Sequence, residues 1–101
     1  MDKLSIINSN FTQNKEIIEE TVKTNLSDIE KATNMLIEML ENNGKLLTCG
    51  NGGSSGDAQH ISSEFINRFE IERKELPAIS LNSDTAILTS IANDYDYKHI
   101  F

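Results

Sequence analysis

The sequence predicts an α/β fold: a parallel sheet flanked by helices and preceded by an N-terminal helical pair. Three observations lead there. Two short, mostly apolar runs, at residues 45 to 49 and 77 to 81, have strand character. A stretch with helical spacing separates them, and strand-loop-helix-strand order points to parallel pairing. Two longer stretches with apolar residues at helical spacing come first, ahead of residue 44. The expected organisation is a helical pair over residues 1 to 44 and the opening of an α/β domain over residues 45 to 101.

The first helix is expected over residues 3 to 24, where Ile7, Phe11, Ile18 and Val22 recur at roughly helical spacing. Asn8, Ser9 and Asn10 weaken its opening turns. A second helix is expected from Ser27, which forms a capping-box pattern with Glu30. Ile29, Ala32, Leu36, Met39 and Leu40 give it an apolar stripe, and Asn43-Gly44 supplies the stop. These stripes call for burial against each other, against a partner chain, or both. Gly44 and Gly50 bound the first strand, and all five glycines fall between positions 44 and 56. Backbone freedom is therefore concentrated around one loop. Helical spacing resumes over residues 56 to 69, with Ala58, Ile61, Phe65 and Phe69 on one face. A charged connection over residues 70 to 75 leads to the second strand. Its Pro77 sits at the start, where no ladder donor is needed. Asp84 is placed to cap a helix through Ile87, Leu88 and Ile91; Asn93-Asp94 interrupts it, and a last helix is expected near Tyr95.

Composition narrows the function. A chain that is 38% hydrophobic and 25% charged is globular in character rather than disordered. A net charge of −7 with scattered Lys and Arg argues against a nucleic-acid partner. No run approaches the roughly 18 apolar residues of a membrane span, so no membrane partner is expected. The N-terminus lacks the pattern of a signal peptide. Cys49 is the only cysteine, which rules out an internal disulfide. Together these features lead us to expect a cytoplasmic protein. The closing run NDYDYKHIF stops on an apolar residue in mid-pattern, so the natural chain is expected to continue past Phe101.

The chemistry is concentrated in TCGNGGSSGDAQHISSE, residues 48 to 64. A glycine-rich turn at the carboxyl end of a strand, followed directly by a helix, makes an anion site from uncovered N–H groups and the helix dipole. Ser54 and Ser55 add hydroxyl donors. The spacing fits neither the dinucleotide fingerprint nor the P-loop. On the helix, Asp57, His60 and Glu64 fall along one stripe, with Arg68 a turn further on. His60 and Glu64, four apart, are close enough to ligate one ion or to act as an acid–base pair. The same residues also suit a tight turn that holds nothing, beside a solvated His–Glu contact worth a few tenths of a kcal/mol.

Cys49 to Glu64, read as Cys-Gly-Asn-Gly-Gly-Ser followed by Asp-Ala-Gln-His and then Glu, resembles the phosphoheptose isomerases of the sugar-isomerase (SIS) domain superfamily. The likeness continues through Arg68, Glu72-Arg73, Pro77-Ala78-Ile79, Asp84 and Ile91-Ala92-Asn93-Asp94. It implies an SIS-domain parallel sheet, present here as its N-terminal half, and tetramer assembly through the N-terminal helices. The implied reaction converts sedoheptulose 7-phosphate to D-glycero-D-manno-heptose 7-phosphate, at the start of heptose synthesis for lipopolysaccharide. The resemblance assigns substrate contacts to Asn51, Gly52, Gly53, Ser54, Glu64, Asn93 and Asp94. It assigns Zn2+ ligation to His60 and Glu64, and makes Glu64 the catalytic base. The family's later elements, a Ser-Thr-Ser phosphate loop and a Gln and a His near the C-terminus, are not in this sequence, so these 101 residues alone are expected to be inactive. The chain also resembles the replication-initiator-associating protein, a non-catalytic relative of the same fold. Gly53, Asp57 and Glu64 together favour the enzyme.

Overall fold

The computed structural model describes residues 2–101. The element order is α1 (Lys3–Glu41), β1 (Leu46–Thr48), α2 (Gly53–Ile66), β2 (Ala78–Ser80), α3 (Thr85–Asp94) and a 3-10 turn (Tyr97–His99). The chain divides into two compact units, with the boundary after Leu36.

The first unit is helix alone. Asp2 caps it, its Oδ1 accepting from the Ser5 N–H at 2.7 Å. Two helices were expected before residue 44, but α1 is unbroken for 39 residues. Ser27 and Glu30 lie inside it and start nothing. The physical reason is that α1 contains no glycine or proline, so a capping-box pattern has no break to exploit. Its hydroxyl side chains are also absorbed locally. Thr12, Thr21, Thr24 and Thr33 each donate to the carbonyl four residues earlier. The predicted apolar stripe is present and exposed: Phe11 keeps 73% of its surface and Val22 56%.

The second unit opens on the last turn of α1. Gly44 donates to the Met39 carbonyl at 2.8 Å and Asn43 to that of Leu40 at 3.2 Å. This is the double closure of a Schellman motif. The residue with positive φ is Asn43, at 57°, while Gly44 is pressed against Met39, where a Cβ would come within 2.8 Å of its side chain.

β1 and β2 pair in parallel, with Leu46 opposite Ala78, Leu47 opposite Ile79 and Thr48 opposite Ser80. α2 crosses between them and covers one sheet face. Its seat is made of small residues: Ala58 and Ser62 on the helix, Ala78 and Ser80 on the strand, all buried. The Thr48 hydroxyl locks it by donating to the Ala58 carbonyl at 2.8 Å. Leu47 and Ile79 alternate to the other face and stay about half exposed.

α2 corrects the expected helix in two ways. It begins three residues earlier, at Gly53, and ends at Ile66 rather than Phe69. Its buried face runs through Ala58 and Ser62, while Ile61 is 49% exposed and Phe69 58% exposed. Ser62 is tolerated there because its hydroxyl donates to the Gln59 carbonyl at 3.0 Å. Arg73 returns from the charged connection to close the helix end, donating to the carbonyls of Glu64 at 2.6 Å and Phe65 at 3.0 Å. Asp84 caps α3 as predicted, accepting from the Ile87 N–H at 3.0 Å. α3 runs through Asn93 and Asp94 without interruption, and the segment after Tyr95 forms only a 3-10 turn.

Candidate functional site

Two short strands end side by side, and the turn leaving β1 stands at their carboxyl edge, where α/β sheets bind ligands. The turn proper is only Gly50-Asn51-Gly52, because Gly53 and Ser54 already belong to α2. Two of its glycines are required by geometry. A Cβ on Gly50 would lie 2.4 Å from the Ser54 carbonyl oxygen. Gly52 adopts φ 57° and ψ −125°, a backbone conformation that L side chains rarely reach. Ser54 and Ser55 spend their N–H groups on the carbonyls of Asn51 and Gly52. Those of Asn51, Gly52 and Gly53 have no acceptor among the described residues. Three uncovered donors at the start of a 14-residue helix form an electropositive turn open to an anion. Ser54 is exposed beside them, while the Ser55 hydroxyl folds back onto the Gly52 carbonyl at 2.6 Å.

The turn forms one wall of a shallow depression of about 290 Å³ whose other wall includes Asn82, Leu88 and Tyr97. Neither Asn82 nor Tyr97 stood out in the sequence. The Asn82 side chain bonds both backbone groups of Gly50, and the Tyr97 hydroxyl donates to Asn51 Oδ1 at 2.7 Å. The available clue to Asn82 was its place directly after the second strand, at the same sheet edge. Tyr97 had no comparable local signal.

A second depression, of about 360 Å³, is lined by Asp57, His60, Ile61 and Glu64 on the solvent-facing side of α2. His60 Nε2 and Glu64 Oε1 are 3.0 Å apart. The imidazole is 73% exposed and the carboxylate 39%, so the pair is accessible to a ligand. Arg68 is turned to Glu72 at 2.6 Å. Asn93 and Asp94 lie at the end of α3, joined to each other at 3.1 Å, and line neither depression. One imidazole nitrogen and one carboxylate oxygen are donor types that zinc takes. Among the described residues no group of three or more His, Cys, Asp or Glu side chains is placed to hold a metal. The pair therefore fits two positions of a tetrahedral shell and leaves the others to groups outside it.

An open anion turn at a parallel sheet edge, with an exposed His–Glu pair on the following helix, defines a class. The SIS domain family model matches residues 10–101, and the chain belongs to that family. Within it, the chain is similar to phosphoheptose isomerases. The chain is 46% identical over 97 residues to that of Helicobacter pylori, covering 96% of this chain and 50% of the relative. It is 48% identical over 98 residues to that of Shewanella frigidimarina, covering 97% and 50%. Two solved structures agree. The phosphoheptose isomerase from Francisella tularensis superposes with a TM-score of 0.93 at 42% identity, over all of this chain and 53% of that one. The enzyme from Neisseria gonorrhoeae gives 0.89 at 34% identity, over 99% and 51%. The chain spans about half the length of the curated relatives it matches. No helix among the described residues is long and apolar enough to cross a membrane.

Proposed function

We propose that this chain is the N-terminal half of a phosphoheptose isomerase, which interconverts sedoheptulose 7-phosphate and D-glycero-D-manno-heptose 7-phosphate for lipopolysaccharide synthesis. The observation that carries the reading is the retention of an open anion turn and an exposed His60–Glu64 pair on one strand-turn-helix unit. The similarity to phosphoheptose isomerases across nearly the whole chain supports it.

In this reading the free N–H groups of the turn and the Ser54 hydroxyl bind oxygens of the sugar phosphate. Binding energy gained far from the reacting carbons orients the sugar. Asn51, Gly52 and Gly53 contact the substrate, and Asn93 and Asp94 meet hydroxyl groups of the sugar. The Glu64 carboxylate takes the proton from the carbon beside the carbonyl while the carbonyl oxygen gains a proton, giving an enediol; the other enediol oxygen then gives up its proton as Glu64 returns the carried proton to the former carbonyl carbon. His60 and Glu64 would hold a zinc ion, which when bound supplies positive charge beside the oxygen where negative charge develops. The remaining ligands and the rest of the phosphate site belong to the other half of the enzyme. The exposed stripe of α1 serves assembly into a homotetramer.

The test uses the full natural protein. Aldose formation from sedoheptulose 7-phosphate is followed before chelation, after it, and after zinc is restored. Turnover lost with chelator and regained with zinc is expected. Glu64→Gln should lower kcat by about 10² to 10⁴ while the protein stays folded. A folded, zinc-supplied protein that binds the replication initiator and does not turn over would replace this reading with that of a binding module.

A further inference from the structure

Resting on that reading, we propose that Asn82 and Tyr97 are positioning residues. They hold the 50–52 turn in its binding shape and decide which end of the Asn51 amide meets the sugar phosphate.

The strand ladder stops one residue short of the turn. Its last backbone bond runs from the Leu81 N–H to the Thr48 carbonyl at 2.8 Å. Asn82 then replaces backbone with side chain. Its Oδ1 accepts from the Gly50 N–H at 3.0 Å and its Nδ2 donates to the Gly50 carbonyl at 2.6 Å. Both bonds are partly buried. A donor facing a carbonyl and an acceptor facing an N–H leave only one orientation for this amide. Gly50, which carries no side chain to anchor it, is thereby pinned on both of its backbone groups.

Tyr97 acts on the next residue. Its hydroxyl donates to Asn51 Oδ1 at 2.7 Å. That occupies the acceptor end of the Asn51 amide and leaves its NH₂ as a donor, the polarity that phosphate and hydroxyl oxygens require. The 3-10 turn beneath Tyr97 is itself fixed, because the Asp96 carboxylate accepts from the Lys98 N–H at 3.0 Å and from His99 Nδ1 at 2.9 Å. Asn82 and Tyr97 thus approach the turn from two separate elements and line one depression with it. Both act through the turn and neither needs to touch the ligand.

The experiment compares the full natural protein with Tyr97→Phe and Asn82→Ala. It measures kcat and KM for sedoheptulose 7-phosphate, calorimetric Kd for the same compound, and Tm. Loss of one neutral hydrogen bond predicts a rise of about fivefold in KM and Kd for Tyr97→Phe, with a larger rise for Asn82→Ala. The kcat of both variants should stay within about twofold of the parent. Tyr97→Phe keeps the ring and should leave Tm unchanged, so it carries the test if Asn82→Ala unfolds. Unaltered KM and Kd in an active parent would overturn the positioning role and leave the isomerase standing. A parent that binds without turnover removes the isomerase, and the Kd shift of the variants then decides the positioning role. A parent that neither binds nor turns over removes both.

Discussion

Replacing Gly50 and Gly56 by alanine, one at a time, should move stability in opposite directions. At Gly50 the new Cβ would lie 2.4 Å from the Ser54 carbonyl oxygen, 2.6 Å from its carbonyl carbon and 2.7 Å from its Cβ. Ordinary contact begins near 3.4 Å, so something must yield by about 1 Å. The obstructing atoms are mostly backbone of the first turn of α2, which cannot swing aside as a side-chain tip can. Gly50 cannot retreat either, since Asn82 holds it at 2.6 and 3.0 Å. Overpacking of this kind typically costs 1–3 kcal/mol, and with backbone on both sides we expect about 3 kcal/mol. Gly56 lies inside α2, and a Cβ there meets nothing within 4 Å. Alanine should therefore stabilise by about 0.5–1 kcal/mol through better helix propensity. Urea unfolding of the full natural protein and both variants, compared at a common m-value, measures the contrast. If Gly50→Ala unfolds within about 1 kcal/mol of the parent, the close approach of Gly50 to Ser54 is not what demands glycine, and the geometry deduced for the turn is wrong.

Three further substitutions probe the scaffold. Ser27→Ala should change stability by no more than about 0.5 kcal/mol, because Ser27 lies inside a continuous helix; a loss near 1 kcal/mol in urea unfolding would restore a helix start there. Asp84→Ala removes the acceptor for the Ile87 N–H and should cost about 1 kcal/mol, again read by urea midpoint. Arg73→Met deprives the carbonyls of Glu64 and Phe65 of their charged donor. It should cost about 2 kcal/mol, and amide exchange should accelerate first in the last turn of α2.

Much of this was legible because it is local. Asp84, Asn43-Gly44 and the two short apolar runs carry their structural role in their immediate neighbours, and each forms the cap, stop or strand expected. The helix start at Ser27 misled for the same reason: a capping box is a local preference, and the uninterrupted helix-forming residues on both sides override it. The start of α2 was read too late because Gly53 and Gly56 suggest a loop, yet the first turn forms with its N–H groups bonded to Asn51 and Gly52. Ser62 was missed as a buried residue because hydrophobic pattern cannot reveal a serine that satisfies its own hydroxyl. At the candidate site, the turn and the His60–Glu64 pair are contiguous in sequence and could be found. Asn82 and Tyr97 reach the turn across 32 and 46 residues, a distance that pattern within one stretch does not span.

The seat of α2 has a consequence for how this scaffold changes over evolutionary time. Ala58, Ser62, Ala78 and Ser80 are small residues buried between helix and sheet. Bulkier replacements on that side risk overpacking the interface between helix and sheet. The opposite side carries Asp57 and His60, both exposed, and the partly exposed Glu64. Its chemistry can therefore be exchanged residue by residue while the geometry that aims it stays constant. A helix divided in this way can carry different side chains on its exposed ridge while the backbone beneath stays the same.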